Sequence, residues 1–223
     1  MKHRMLKSAA ILLAVIASPI AAAQMPVEWD GLRRVESKRL NYVYLQPGAD
    51  FRGYTKVIVD PTEVAFRKNW ARDYNRSSRD LDGRVSDQEV QQAISKGVVA
   101  ASDIFVEAWR KGGYEIASQP GPDVLRVQTA VVNISVAAPD VRTSSASHSF
   151  SDEAGAATLV VEVKDSLTGA VLGRAIDQAI VGDNTVAWRT RVSNRADFRE
   201  VVEHWARNGV RGMGELKALS PVQ

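Results

Sequence analysis

The sequence of 223 residues contains no cysteine. This absence excludes disulfide bonds, thiolate zinc sites, iron–sulfur clusters and a cysteine nucleophile, and also a lipid anchor on an N-terminal cysteine. An excess of one charge is also lacking, since 29 basic residues stand against 26 acidic ones. Apolar residues make up 45% and charged residues 25%. These fractions are typical of globular domains, which argues against a disordered, fibrous or polytopic membrane protein.

Long hydrophobic runs are missing as well. The longest apolar run, residues 9–17, follows a positively charged start. It is well short of the ~20 apolar residues that a membrane-spanning helix requires. Ala21 and Ala23 then provide the small side chains that a signal peptidase reads. This pattern predicts that residues 1–23 are a secretory signal peptide, cleaved before Gln24.

Cleavage would change the charge balance of the protein. The leader contains three basic residues and no acidic one, so 26 basic and 26 acidic residues remain in the mature chain. A formal net charge of zero carries no nucleic-acid signature. We expect one domain over residues 24–223 that does not span a membrane. An exported chain without cysteine fits the bacterial periplasm, with association with the outer membrane as an open alternative.

Two long helices are predicted from their caps and their apolar periodicity. Ser86 and Glu89 form a capping box, and Gly112 supplies a stop, which predicts a helix about 37 Å long. Asn194 is the predicted N-cap of a second helix. Its apolar side includes Trp205, which we expect to lie against the sheet near Leu172 or Ile176.

Extended segments rich in Val, Ile and Tyr occupy most of the remaining chain. Strands are predicted at 42–45, 54–59, 64–66, 114–117, 124–137 and 157–163. Residues 165–169 predict a hairpin turn, after which Leu172, Ile176 and Ile180 should share one face of the returning strand. Residues 24–39 are mixed and polar, with Trp29 and Leu32 as expected anchors, and residues 139–153 are predicted to form a loop. The order predicts an α+β two-layer sandwich, an antiparallel-rich sheet with both helices on one face.

Catalytic patterns are scarce in this sequence. After cleavage only His148, in a Ser-rich segment, and His204, in the second helix, remain. Neither belongs to a His-Glu-x-x-His motif, and no Gly-x-Ser-x-Gly elbow is present. The glycines between Gly209 and Gly214 do not follow a strand, so we interpret them as small residues for close helix–sheet packing. We therefore predict no catalytic residues, no metal ligands and no cofactor.

One charged segment is suggestive of binding. Residues 67–84, predicted to form a long loop, interleave aromatic and basic side chains, among them Trp70, Arg72, Tyr74 and Arg76. Arginine and stacked aromatics are suited to an anionic partner. We name these four residues as a candidate surface for an envelope protein or an anionic envelope component. The alternative is a solvated loop in which Trp70 inserts into the core.

Several segments together resemble a known bacterial family. They are YVYLQPGAD at 42–50, YTKV at 54–57, PGPDVLR at 120–126, DSLTG at 165–169, RAID at 174–177 and WAR at 205–207. Over residues 28–219 the chain resembles the family called domain of unknown function 3313. The resemblance implies an exported envelope protein, often a lipoprotein, but no catalytic residue. Because this chain lacks the cysteine that would carry a lipid, we expect a soluble periplasmic form.

Three functions remain open at the level of sequence. The first is a non-enzymatic periplasmic protein that binds or supports an envelope partner, which the lack of a catalytic set favours. The second is an envelope enzyme whose site is assembled from scattered Asp, Glu and Ser residues. The third is a carrier of a small ligand or lipid. A carrier requires an apolar cavity between sheet and helices, and a closely packed interlayer would exclude it.

Overall fold

The computed structural model describes residues 25–77, 84–136, 149–151, 155–181, 187–189 and 191–222. The predicted cleavage residues Ala21, Ala23 and Gln24 lie outside this part of the chain, as does His148. Within it are β1 Glu28–Trp29, β2 Leu32–Val35, β3 Tyr42–Leu45, β4 Lys56–Val59, β5 Glu63–Phe66, α1 Trp70–Ser77, α2 Asp87–Lys111, β6 Glu115–Ile116, β7 Val124–Val136, β8 Ser149–Ser151, β9 Gly155–Asp165, β10 Val171–Val181, β11 Ala187–Arg189 and α3 Arg191–Leu219.

Nine of these strands form one mixed sheet that is mostly antiparallel. Their order is β1-β2-β3-β10-β9-β7-β4-β6, and β5 also pairs with β7. The pairings β4–β6, β4–β7 and β5–β7 are parallel, and the others in this sheet are antiparallel. β8 and β11 form a separate antiparallel pair. The mixed α/β class and the antiparallel-rich sheet agree with the prediction, whereas the two-layer sandwich with both helices on one face stays a prediction.

The start and the end of α2 follow the sequence signals closely. The Ser86 side chain accepts from the backbone N–H of Glu89, and the Glu89 carboxylate accepts from the backbone N–H of Ser86. Gly112 ends the helix, and its N–H returns to the carbonyl of Ala108. The predicted capping box is confirmed. Local hydrogen bonds of this kind need no tertiary partner, which explains why the sequence alone locates them.

The core consists of two neighbouring apolar clusters. One joins Trp109 of α2 and Met213 of α3 to Leu125 and Val127 of β7. The other joins Phe105 of α2 and Trp205 and Val202 of α3 to Leu159 of β9 and Val131 of β7. Both long helices therefore contribute side chains to both clusters. None of the helices in the described ranges is long and apolar enough to cross a membrane.

Several predictions about single elements are wrong. Residues 24–39 contain the β1–β2 pair, where Leu32 is fully buried as expected. Residues 70–77 of the predicted long loop form α1, and α3 begins at Arg191, so that Asn194 lies inside it. Residues 149–151, within the predicted loop 139–153, form β8. Short elements of weak periodicity such as α1 and β8 depend on tertiary packing, which the sequence pattern does not show.

The predicted common face of Leu172, Ile176 and Ile180 is also wrong. Leu172 packs against the first core cluster, whereas Ile180 is 65% exposed. The pairing of β10 with β9 shifts between Val171 and Gly173. Such a bulge inserts a residue and breaks the strict alternation of side chains, which the sequence pattern had assumed to continue.

The glycines of α3 do not pack against the sheet. A Cβ atom added at Gly209 or Gly214 would have no other atom within 4 Å, and one at Gly212 would meet only Arg39 Cδ at 4.0 Å. The prediction of close helix–sheet packing at these positions is therefore wrong. Met213, between two of these glycines, is instead the buried residue of this turn.

Candidate functional site

A cavity of about 490 Å³ lies between α2, α3 and the β5–β7 part of the sheet. Most of the side chains around it are apolar. The cavity is lined by Val64, Phe66, Trp70, Val85, Glu89, Val90, Ala93, Lys96, Gly97, Ala100, Ala101, Ile104, Val131, Ile134, Val136, Phe198, Arg199 and Val202. This lining combines residues of β5, α1, α2, β7 and α3 and Val85, so that only the folded chain assembles it.

Short side chains on α2 leave room for the cavity. Ala93, Gly97 and Ala101 follow one another at four-residue steps, which places them on one face of the helix. They all line the cavity. α2 comes close to the sheet at Gly97, where an added Cβ would lie 3.1 Å from Val64 Cγ1. The helix is therefore held near β5, while its small side chains leave space beside that contact.

Aromatic side chains form one end of the cavity. The rings of Phe66 and Trp70 stack with their centroids 4.6 Å apart, and Trp70 stacks in turn on Tyr74 at 5.8 Å. The indole N–H of Trp70 donates to the carbonyl of Val136 at 3.3 Å. Trp70 is only 5% exposed. α1 is thereby tied to the last residue of β7, and its Trp70 lines the cavity.

Three polar side chains reach the lining of the cavity: Glu89, Lys96 and Arg199. The Glu89 carboxylate is engaged by the capping box, accepting from the Ser86 hydroxyl at 2.7 Å. Arg199 Nε donates to Glu203 at 2.9 Å. Lys96 is exposed, and it has no ion-pair partner in the described part of the chain. The cavity thus combines an apolar body with an unpaired cation at its border.

A wider groove of about 830 Å³ continues from the cavity between α2 and α3. It shares Lys96, Ala100, Ile104 and Arg199 with the cavity. Val99, which also lines the groove, is 61% exposed. The remaining charged residues of the groove are Asp103, Glu107, Lys111, Glu203 and Arg207. A hydrogen bond from Arg110 and the charge of Lys111 lower the pKa of Glu107.

A comparison with models of known protein families identifies the family of this chain. The model of the family described as "Protein of unknown function (DUF3313)" matches residues 22–208. The chain belongs to the DUF3313 family. This confirms the resemblance found in the sequence. No curated protein matches the chain.

Solved structures similar to this DUF3313 protein are distant. A PelC dodecamer from Paraburkholderia phytofirmans shares 13% identity, with a TM-score of 0.34 over 74% of this chain and 96% of that one. A DUF330 protein from Xanthomonas campestris shares 13%, with a TM-score of 0.37 over 74% and 88%. A DUF4136 family protein from Bacteroides thetaiotaomicron shares 10%, with a TM-score of 0.35 over 84% and 98%. At these values the likenesses assign neither a role nor an oligomeric state to this family member.

The four residues of the predicted partner surface do not share one surface in this DUF3313 protein. Trp70 is buried at the end of the cavity, as in the alternative interpretation of the segment. Tyr74 is half-buried against it, and burial raises the pKa of its hydroxyl. Arg72 and Arg76 are exposed, and Arg72 contacts Asp73 at 3.2 Å. In α1 the two aromatic side chains are thus buried or half-buried, and the two arginine side chains are exposed. The prediction of one shared surface had assumed a loop at these residues.

Charged side chains also line part of the sheet at β7, β9 and β10. Glu162 is 6% exposed and accepts from Lys164 and Arg174, each at 2.6 Å. Burial opposes ionisation of Glu162, but the hydrogen bonds from Lys164 and Arg174 outweigh it and lower the pKa of the carboxyl. Arg174 also contacts Asp30 and lies 4.7 Å from the centre of the Trp29 ring. This network ties β1 and β2 to the middle of the sheet.

The cavity residues other than Trp70 were missed at the level of sequence. The signal that could have found them is the four-residue spacing of Ala93, Gly97 and Ala101, which is unusual on the inner face of a long helix. Among the described residues, no three His, Asp or Glu side chains are grouped so that they could hold a metal ion. The lining of the cavity is mostly apolar, with Glu89, Lys96 and Arg199 as its charged residues.

Proposed function

We propose that this protein is an exported, non-enzymatic periplasmic protein that binds an apolar small molecule between its helices and its sheet. The observation that carries the proposal is the cavity of about 490 Å³ bounded by α2, α3 and the β5–β7 sheet. Cavities of ~300–1,000 Å³ with an apolar lining are typical of small-molecule sites. The proposal includes the two-layer arrangement, in which α2 and α3 cover one face of the sheet.

The lining supports binding through apolar contact. A ligand in the cavity would lie against Val64, Ile134 and Val202, and would meet the stacked Phe66 and Trp70 at one end. Removing apolar surface from water stabilises such a complex by roughly 25 cal/mol per Å². The aromatic rings add large, rigid contact area. A ligand with a hydrocarbon body of modest width is the class that this lining fits.

The polar groups of the cavity favour binding over catalysis. Glu89 is the one carboxylate in its lining, and its Oε2 holds the first turn of α2. A carboxylate committed to a helix cap is poorly placed to take up and release protons. In the proposal, Glu89 therefore keeps the helix in position, and the ligand leaves the site chemically unchanged.

The proposal is tested with a neutral apolar dye and a matched pair of variants. Ala93 lines the cavity, whereas its neighbour Gln92 is exposed and does not. We expect N-phenyl-1-naphthylamine to bind the purified protein saturably at one site. Ala93→Phe should abolish that binding by filling the cavity, and Gln92→Phe should preserve it. No saturable binding by the wild type, or equal binding by a folded Ala93→Phe variant, would contradict the proposal.

A second candidate function is the docking of an anionic envelope component on α1. It is favoured by the exposure of Arg72 and Arg76 on the helix whose Trp70 is buried. Arginine binds carboxylate and phosphate groups in a bidentate manner. The double change Arg72→Gln, Arg76→Gln should then weaken sedimentation of the protein with vesicles that contain anionic lipid, while dye binding is unchanged. Equal sedimentation of wild type and variant would exclude this surface.

A further inference from the structure

Two basic side chains lie at the border between the cavity and the groove. Lys96 of α2 and Arg199 of α3 both line the apolar cavity, and both also line the charged groove. The two basic side chains therefore stand on facing helices where the apolar space meets the solvent-accessible one. Ala100 and Ile104 continue the apolar surface between the two spaces. One molecule could contact the apolar lining and both cations together.

Lys96 is available for a ligand. It is exposed and, within the described ranges, forms no ion pair. Its ammonium group carries three donors on a flexible stem. Arg199 uses its Nε to contact Glu203, and its side chain stays 65% exposed. Nε is the one donor of Arg199 that forms a hydrogen bond with a described residue, so that its terminal guanidinium N–H groups can donate to an anion at the border.

Two carboxylates near this border are paired with cations, whereas Asp103, which also lines the groove, is exposed and in no ion pair with a described residue. Glu107 contacts both Arg110 and Lys111, at 2.7 and 3.5 Å. Glu203 contacts Arg199 and Arg207, at 2.9 and 3.8 Å. At the cavity itself two cations stand against one carboxylate, Glu89, whose Oε2 is engaged in the capping box. The local charge therefore favours an anion over a cation.

We propose that the ligand of this cavity is an anionic amphiphile, with its hydrocarbon chain in the apolar cavity and its carboxylate or phosphate head group on Lys96 and Arg199. This inference rests on the proposed function, since it specifies the ligand of the same cavity. The hydrocarbon chain would extend from the border toward Phe66 and Trp70. Hydrogen bonds from cations to an anionic head are stronger than those between neutral groups, so that the head group contributes both affinity and orientation.

The head group is tested with ligands that share one hydrocarbon chain. Hexadecanoate, hexadecyl phosphate, hexadecanol and hexadecyltrimethylammonium compete, below their micelle concentrations, with N-phenyl-1-naphthylamine for the full mature protein. We expect the two anions to displace the dye at roughly tenfold lower concentration than hexadecanol, as one charge-assisted contact implies. The cationic compound should be the weakest. Inorganic phosphate alone should displace nothing, because it lacks the chain.

A matched pair of lysine variants locates the effect. Lys96→Met keeps the apolar stem and removes the charge, so it should reduce the preference for hexadecanoate over hexadecanol several-fold, with each displacement referred to the dye affinity of the same variant. Lys38→Met is the control, since Lys38 is exposed and lines neither space. Raised salt should reduce the preference in the wild type by screening.

The outcomes separate this inference from the proposed function. Absence of saturable dye binding contradicts the proposed function itself. Dye binding with equal displacement by hexadecanol and hexadecanoate, or with a preference unchanged in Lys96→Met, contradicts only the anionic head group. Displacement by inorganic phosphate alone would show a site for free anions in place of an amphiphile. Displacement by none of the hexadecyl compounds would overturn the inference while the dye still reports a cavity.

Discussion

Trp205 Nε1 donates a hydrogen bond to Asp177 Oδ2 at 2.8 Å, which connects α3 to β10. The other oxygen of Asp177 accepts from the backbone N–H of Asn41 at 2.9 Å. Trp205 is 1% exposed and packs with Leu159 in the second core cluster. The sequence predicts that Trp205 lies near Leu172 or Ile176. Its hydrogen-bond partner is Asp177, the residue after Ile176, and the side chains of these two residues lie on opposite faces of the strand. One carboxylate joins a helix, a central strand and the segment before β3.

Replacement of Trp205 should destabilise the fold strongly. We expect Trp205→Ala to lower the free energy of unfolding by about 3–5 kcal/mol, because the indole is buried in the core. Trp205→Phe should lose roughly 1–3 kcal/mol, since it keeps apolar contact but leaves a carboxylate oxygen without its donor. Urea denaturation followed by circular dichroism measures both. His204→Ala, at an exposed neighbouring position whose ring hydrogen-bonds Asn208 at 2.9 Å, should change stability by about 1 kcal/mol or less. Equal effects at positions 204 and 205 would contradict the packing described for α3.

Alanine at Gly209 should stabilise the protein. An added Cβ there meets no atom within 4 Å, and alanine is favoured over glycine in a helix by about 1 kcal/mol. The same change at Gly112 should destabilise, because its Cβ would lie 2.2 Å from Val210 Cγ1. Thermal melting of Gly209→Ala and Gly112→Ala compares the two. A lower melting temperature for Gly209→Ala would show that this position contacts something beyond the described residues.

The buried carboxyl of Glu162 predicts a dependence of stability on pH. Its pKa is lowered on folding, so its ionised form contributes stability that is present above the unfolded pKa and is lost as the pH falls through the folded pKa. Glu162→Gln should lower the free energy of unfolding at pH 7 by on the order of 2–3 kcal/mol, because Lys164 and Arg174 lose their shared acceptor.

The pH profile of the Glu162→Gln variant distinguishes this effect from that of other carboxylates. The stability difference between wild type and variant should shrink as the pH falls below the unfolded pKa near 4.5. Urea midpoints measured from pH 7 to pH 3 follow it. A difference that stays constant over this range would mean that Glu162 acts through its shape and not through its charge.

The leader predicts where the mature protein begins. Expressed in a bacterium with its own leader, the protein should appear in the fraction released by osmotic shock, and its N-terminal residue should be Gln24. Edman sequencing of the released protein checks this. Ala23→Arg, which removes a small side chain required at the cleavage position, should leave the leader attached. An unprocessed protein that starts at Met1 in the wild type would contradict the prediction.

Local features of the fold could be predicted from the sequence because their causes are local. The capping box of Ser86 and Glu89 and the stop at Gly112 are confirmed. The predicted turn at 165–169 is confirmed by the hairpin of β9 and β10 and by the positive φ of Gly169. Each depends on hydrogen bonds or backbone angles within a few residues, which the residue types themselves dictate.

Features that depend on contacts between distant segments could not be predicted. The interleaved basic and aromatic residues around Trp70 suggest a surface, and the fold places that ring in a cavity wall beside Val136. The glycines of α3 suggest close packing, and the fold leaves Gly209 without a neighbour at its Cβ. In both cases the sequence indicates only which contacts a residue could make, and the fold decides which of these contacts form.

The sequence by itself determined the family, the presence of two long helices, the caps of α2 and most of the strands, and it led to the expectation of export. Only the tertiary structure decided that small residues of α2 face Val64 and Val131 across an apolar space, with Lys96 at its border. The physical reason is that a cavity is the space that remains between two packed surfaces. Each surface is encoded in its own segment, but the space between them exists only once helix and sheet are held at a given separation.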